Sequence, residues 1–217
     1  DRYDLSSMRY ALHSAAPCPV EVKQELMRWW GEIVYEYYSA TEAVGSTVVT
    51  PQEWLRKPGC VGRTGGPGTL GLARICDEAG RVLPAGEIGT VYFERPDFSF
   101  EYHKDPVKTA SARHPFRESW FTTGDLGYLD DDDVLFLTGR ENFTIISGGV
   151  NIYPQEVESV LALHPLVHDV AVVGVPDADL GERVEAFVQL SPDVVDSDDP
   201  EREILEFCRE RLSRFKC

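Results

Sequence analysis

Cysteine is sparse and badly spaced for chemistry. The five residues, Cys18, Cys60, Cys76, Cys208 and Cys217, include no CxxC pair, which removes a zinc ribbon and a thioredoxin-type redox motif and leaves an odd set that reads as reduced, mostly core thiols. Basic residues are also short: 21 Lys and Arg against 37 Asp and Glu give a formal net charge of −16. That balance argues against a nucleic-acid partner and against an anionic membrane surface. No apolar run reaches the length of a membrane span, so no stable membrane insertion is expected. Nothing near the charged start, Asp1 to Asp4, resembles a signal peptide, and a cytoplasmic location is expected. No GxxxxGK phosphate loop is present. Gly66 to Gly71 does spell GxGxxG, but a strand pattern, Leu72 to Cys76, follows where a dinucleotide fold needs a helix. The adjacent His13-Ser14 pair sits in no GxSxG elbow. The acidic run Asp130 to Asp133 lacks the alternating ligand spacing of an EF-hand and reads as a solvated hairpin tip.

What is present is ordinary globular material. The 217 residues are 42% hydrophobic and 27% charged, enough for one large or two small domains. Met8 to Leu12 has a strand pattern and runs into the small-residue loop His13 to Pro19. Val20 to Trp30 has helical spacing and stops at Gly31, with Trp29 and Trp30 read as core. Ile33 to Tyr38 alternates like a strand and ends in Ser39-Ala40-Thr41-Glu42; Pro51 to Gly62 reads as a loop. From Leu70 to Leu137 short strands alternate with turns, at a spacing that suits a small barrel or sandwich. One helix interrupts them, capped by Asp105-Pro106 and running to about Arg113.

The stretch that organises the chain is Leu137 to Pro154. An apolar run, Val134 to Leu137, meets Gly139-Arg140 and the polar link Glu141-Asn142; a β-branched run, Thr144 to Ile146, then enters Ser147-Gly148-Gly149. The link reads as a hinge between two domains, and the Gly pair as either a close approach to a ligand or a plain hairpin turn. Beyond it, Pro154 to Leu163 reads as helix, Val167 to Val175 and Glu185 to Leu190 as strands, Gly181-Glu182 as a turn, Asp196 to Asp199 as an acidic loop and Pro200 as a helix start. This β-α-β-β-α order makes a compact α/β lid.

Three segments in order, Tyr38-Ser39-Ala40-Thr41-Glu42, Trp120-Phe121-Thr122-Thr123-Gly124-Asp125, and Ile145-Ile146-Ser147-Gly148-Gly149-Val150-Asn151-Ile152-Tyr153-Pro154, resemble the adenylate-forming enzymes. This superfamily takes in acyl-CoA synthetases, peptide-synthetase adenylation domains and luciferases, and the wording is most similar to bacterial acyl-CoA synthetases. The resemblance implies a mixed α/β fold. Residues 1–50 would close the large adenylate-binding part, 51–139 would form a β-rich, barrel-like subdomain, and 140–217 a small C-terminal lid cut off before its end.

The resemblance also implies roles. Ala15 and Ala16 line the adenine and acyl pockets, Tyr38 lies on the adenine, and Ser39 stands where the family usually has Gly. Thr41 bonds phosphate and Glu42 holds Mg²⁺; these two are the catalytic candidates. Asp125 accepts the ribose hydroxyls and Arg140 adds a second ribose contact. Asn142 stands at the hinge position, where the family often has a charge, and Gly148 and Gly149 line the pantetheine passage. Independently of the resemblance, a Tyr, a hydroxyl and a carboxylate at a strand end suit nucleotidyl transfer, where positioning and charge neutralisation carry the catalysis.

The activity implied is ATP- and Mg²⁺-dependent activation of a carboxylic acid as acyl-AMP, followed by transfer to coenzyme A. The alternatives are an adenylation domain serving a carrier protein and a non-catalytic binding module. The family's early Ser/Thr/Gly-rich phosphate loop and its late catalytic Lys are not found, and Lys216 lacks the Pro/Gly context for the latter. A missing N-terminal part of the same enzyme, and an inactive fragment, are therefore expected.

Overall fold

A computed structural model describes residues 3–192 and 197–217. The chain divides into two compact units, the first ending at Thr138 and the second running from Gly139 to Cys217. The class is mixed α/β. Among the described residues no helix is long and apolar enough to cross a membrane.

The first unit begins with β1 (Ala11–His13), α1 (Val20–Trp30), β2 (Val34–Ser39) and β3 (Ser46–Val49). α1 ends where expected, because Gly31 takes φ +85° and donates its N–H back to the Met27 carbonyl. Its buried stripe differs from expectation. Lys23 and Met27 face inward, while Trp29 is 57% and Val22 39% exposed. The stripe turns through Lys23 because that ammonium has a partner inside: it ion-pairs Glu36 of β2 and lies 4.5 Å from the Trp54 ring centroid. A lysine is buried only when paired in this way.

Next come α2 (Pro51–Arg56), β4 (Cys60–Arg63), β5 (Leu72–Cys76) and β6 (Gly89–Glu94). The loop expected over Pro51 to Gly62 is thus a helix and a strand. The signal was present in the sequence: Thr50 and Glu53 form a reciprocal capping box, Pro51 takes the first helical position, and Trp54 buries the inner face. After Gly66 to Gly71 the chain enters β5, so no helix follows that glycine run.

The unit continues with α3 (Pro106–Ser111), β7 (Arg113–His114), β8 (Arg117–Phe121), β9 (Asp125–Leu129) and β10 (Val134–Arg140), the last two residues of which already belong to the second unit. α3 is capped by Asp105, as its sequence required, but it stops at Ser111 because Arg113 and His114 pair with β8. Asp130 to Asp133 turns the chain between β9 and β10 and is tied down by Lys57, which ion-pairs both Asp130 and Asp132.

All ten strands join one sheet in the order β1-β2-β3-β4-β10-β9-β6-β8-β7, with β5 on β6. The strands on either side of residue 50 therefore share a sheet, since β3 pairs with β4 at Val48 and Arg63. Among the described residues no pairing closes this order into a ring. The largest core gathers Val44, Val91, Phe93, Phe121 and Leu135; each such side chain contributes about 2 kcal/mol on burial.

In the second unit a single 3₁₀ turn, Glu141–Phe143, precedes β11 (Ile145–Ser147), β12 (Val150–Ile152), α4 (Pro154–Leu161), β13 (Val167–Asp177), β14 (Gly181–Leu190) and α5 (Pro200–Arg211). The sheet order is β12-β11-β14-β13. β10 and β11 thus belong to different sheets. Ile145, Ile152, Val157, Leu161, Val172, Ile204 and Cys208 form its core. Gly181, expected in a turn, opens β14. The turn is Asp177 to Leu180, where Asp177 Oδ1 accepts the N–H groups of Asp179 and Leu180. The acidic loop expected from Asp196 begins outside the described residues, and Asp199 at its far end caps α5. All five cysteines are free; Cys60, Cys76 and Cys208 are buried, and burial pushes the Cys76 thiol up to about 11.

Candidate active site

β1 and β2 are parallel neighbours, with His13 paired to Glu36. β1 ends at His13, opposite Glu36, and β2 runs three residues further to Ser39, so the loop carrying Ala15 and Ala16 leaves the carboxyl end of a strand that neighbours β2. Ligands of α/β sheets bind outside such carboxyl ends. Ala15 sits at φ +70°, a left-handed conformation that costs a residue with a Cβ about 1 kcal/mol or more. Strain of this kind is tolerated where the surroundings enforce a chain path, and here it bends the backbone at the strand end.

The segment after Tyr38 folds back on itself. Ser39 Oγ donates to the Gly45 carbonyl at 3.1 Å, so its hydroxyl is turned onto the loop's own backbone. Ala43 N–H donates to the Ala40 carbonyl at 2.9 Å, with Ala43 at φ +55°. Arg95, just beyond β6, donates to the Ala43 carbonyl at 2.5 Å. Gly45 is required at its position because a Cβ there would overlap the Phe93 ring. In the resulting turn Thr41 is exposed and Glu42 half-buried. Glu42 Oε1 accepts a hydrogen bond from the Tyr102 hydroxyl at 2.8 Å.

Asp125 opens β9 and is only 6% exposed. Its Oδ2 accepts from the Tyr38 hydroxyl at 2.5 Å and from Thr123 Oγ1 at 2.9 Å. Gly124, at φ +80°, makes the bend that turns the aspartate inward, with its N–H on Thr122 Oγ1 at 3.0 Å. The Tyr38 ring lies 6.1 Å from that of Phe93 in the core. Two sequence segments far apart are thereby joined at a buried carboxylate.

The structure thus joins Tyr38 to Asp125, puts Ser39, Thr41 and Glu42 in the segment that follows Tyr38, and leaves Ala15 and Ala16 in the loop after β1, all within the first unit. The remaining candidates belong to the second unit. Arg140 ends β10 and is exposed, and Asn142 lies in the exposed 3₁₀ turn. Gly148 and Gly149 are the two central residues of the β11–β12 hairpin, at φ +57° and +81°, a pair of left-handed conformations that a two-residue primed turn requires. Gly148 N–H donates to the Leu180 carbonyl at 2.8 Å. A Cβ on Gly149 would meet nothing within 4 Å.

Three contributors escaped the sequence reading: Thr123, Arg95 and Tyr102. Thr123 stands within a motif segment and could have been found as a hydroxyl two residues before an aspartate, a common turn pairing. Arg95 and Tyr102 act across the fold and left no local signal.

The AMP-binding enzyme family matches residues 1–103, and the AMP-binding enzyme C-terminal domain matches residues 156–217. The chain belongs to the adenylate-forming, AMP-binding enzymes. Among curated relatives of this AMP-binding enzyme, the long-chain-fatty-acid–CoA ligase of Bacillus subtilis (strain 168) is 36% identical over 214 residues, covering 99% of this chain and 37% of the relative. Among solved structures, the o-succinylbenzoate CoA synthetase of Bacillus subtilis in complex with its acyl-adenylate intermediate superposes with a TM-score of 0.81 at 29% identity, covering 98% of this chain and 43% of that one. The amide bond synthetase McbA of Marinactinospora thermotolerans superposes with a TM-score of 0.80 at 33% identity, covering 99% and 43%. The chain therefore spans about two fifths of the length of these proteins.

Proposed function

We propose that the full-length protein activates a carboxylic acid with ATP as an acyl-adenylate and then forms a thioester with coenzyme A. The observation that carries this reading is the Tyr38–Asp125 hydrogen bond at 2.5 Å, which ties two of the motif segments together. Likeness to CoA ligases over nearly the whole chain supports it.

In this reading Ala15, Ala16 and Tyr38 wall the adenine, with Ser39 at its edge, and Asp125 accepts the ribose hydroxyls. Thr41, exposed in its turn, donates its hydroxyl to a phosphate oxygen. The acid's carboxylate oxygen attacks the α-phosphorus, the bond to the bridging oxygen breaks, and pyrophosphate leaves. Attack of the CoA thiolate on the carbonyl carbon then expels AMP. AMP is a far better leaving group than hydroxide, which is why the acid is first made a mixed anhydride.

The residues present fit Mg²⁺. Among the described residues no group of three or more His, Cys, Asp or Glu gathers at one point, so the chain offers no cage for a metal. Glu42 offers one half-buried carboxylate, which suits an ion bound mainly through substrate phosphates. Held there, Mg²⁺ would neutralise phosphate charge. Within the second unit, Arg140 carries a guanidinium suited to a ribose hydroxyl, Asn142 stands at the hinge position, and the Gly148–Gly149 turn presents bare backbone to a pantetheine chain. A soluble, cytoplasmic location accords with this chemistry.

A second reading follows from the likeness to an amide bond synthetase: the same acyl-adenylate would pass to an amine. Pyrophosphate and AMP release by the full-length protein, measured over a panel of acids with either CoA or an amine as acceptor, tests both. AMP release that depends on acid and CoA supports the ligase. Release that depends on the amine alone transfers the proposal to amide synthesis. No acid-dependent pyrophosphate release refutes both.

A further inference from the structure

We propose that Tyr102 is a positioning residue that holds the Glu42 carboxylate in the orientation needed to receive a phosphate-bound divalent cation; the inference rests on the reading of Glu42 as the metal-side carboxylate. Glu42 sits in a four-residue turn bounded by the exposed Thr41 and by Ala43 at φ +55°. A glutamate on such a turn has several rotamers open to it, and ordering it on binding costs free energy. The Tyr102 hydroxyl, 60 residues away in sequence, donates to Oε1 at 2.8 Å. That bond orients the carboxylate beforehand and leaves Oε2 with no hydrogen bond among the described residues.

Tyr102 is itself held on several sides. Its backbone N–H donates to Thr109 Oγ1 at 2.8 Å and its carbonyl accepts from Asp105 N–H at 3.1 Å, which ties it to the capped start of α3. The Phe100 ring meets it edge-on with centroids 5.4 Å apart, and Lys108 Nζ lies 4.1 Å from the ring centroid. A cation over the face of a phenol draws electron density from it and makes its O–H the better donor. The hydroxyl is thus a preformed donor on a rigid support, the arrangement by which a supporting residue orients a metal's carboxylate ligand. A tyrosine that merely filled space would not need its hydroxyl on Glu42.

The test is electron paramagnetic resonance of Mn²⁺ bound with ATP to the full-length protein, comparing wild type, Tyr102→Phe, Glu42→Gln and the double variant. Tyr102→Phe removes one oxygen and keeps the packing against Phe100 and Lys108. It is expected to weaken Mn²⁺ binding in the ATP complex about ten-fold with the melting temperature unchanged, and to add nothing on top of Glu42→Gln. If Glu42→Gln weakens Mn²⁺ binding and Tyr102→Phe does not, the positioning role is overturned and the reading of Glu42 stands. If the two losses add fully in the double variant, Tyr102 acts elsewhere and the proposal is likewise overturned. If Glu42→Gln leaves Mn²⁺ binding unchanged, the reading of Glu42 falls and this proposal falls with it.

Discussion

The hydroxyl of Tyr38 donates to Oδ2 of Asp125 at 2.5 Å across 87 residues of chain. Asp125 is nearly buried, and a buried carboxylate without donors is costly. Tyr38→Phe is therefore expected to lower stability by about 1–3 kcal/mol and to weaken AMP binding, because the aspartate loses one of the hydroxyls that aim it. Chemical denaturation with and without AMP reads both effects. A variant as stable as wild type, with unchanged AMP affinity, would remove the pair from the account.

The loop between Tyr38 and β3 is set by one glycine. Gly45→Ala would push a methyl group into the Phe93 ring, and overpacking of that kind costs about 1–3 kcal/mol. The unfolding free energy of the first unit, read from chemical denaturation, is expected to fall by that amount, and the double change Gly45→Ala with Phe93→Leu should recover part of the loss. If Gly45→Ala melts like wild type, the close approach of this loop to β6 is wrong.

How much of this was readable beforehand depends on whether a signal was local. α1 and the Asp105 cap follow from neighbouring residues, and α1 ends where its spacing and Gly31 put it. The α2 capping box is equally local: Thr50, Pro51 and Glu53 mark a helix start within the stretch that reads as a loop. The buried face of α1 was misread because hydrophobicity places Trp29 inside, whereas the ion pair between Lys23 and Glu36 decides the rotation. Tyr38 and Asp125 were recognisable from their motifs, yet their bond to each other is a product of sheet order. Tyr102 could not have been found from the sequence, since its partner lies 60 residues away and α3 fixes its pose.

In the proposed reaction, Gly149 would separate the two steps. A side chain there meets open space, yet φ +81° strains any residue with a Cβ, at about 1 kcal/mol. Gly149→Leu in the full-length protein is expected to leave acid-dependent pyrophosphate exchange within about two-fold of wild type, a change of that small strain or less, while thioester formation falls at least ten-fold. Loss of both steps together would show that the turn serves the fold alone.

Acid should weaken both units. Backbone N–H donation from Thr50 holds Glu53 below its ordinary range, donation from Arg81 does the same for Asp77, and donation from Leu180 for Asp177. Folded values lower than unfolded ones mean that this stabilisation is complete above the unfolded carboxylate range and is lost as pH falls through the folded values. Melting temperature is expected to hold level down to about pH 5 and to drop below about pH 4. Asp77→Asn should flatten that drop in the first unit; an identical acid slope for variant and wild type would contradict the assignment.

The most direct test of the nucleotide site is a binding cycle at Asp125. Affinities of wild type and Asp125→Ala for AMP and for 2′,3′-dideoxy-AMP would be measured by calorimetry on the full-length protein. Removing either the carboxylate or the ribose hydroxyls is expected to weaken binding by about 1–3 kcal/mol, and removing both should cost little more than removing one. Losses that add in full, or an Asp125→Ala protein that binds AMP as wild type does, would mean that the carboxylate beneath Tyr38 never meets the ribose.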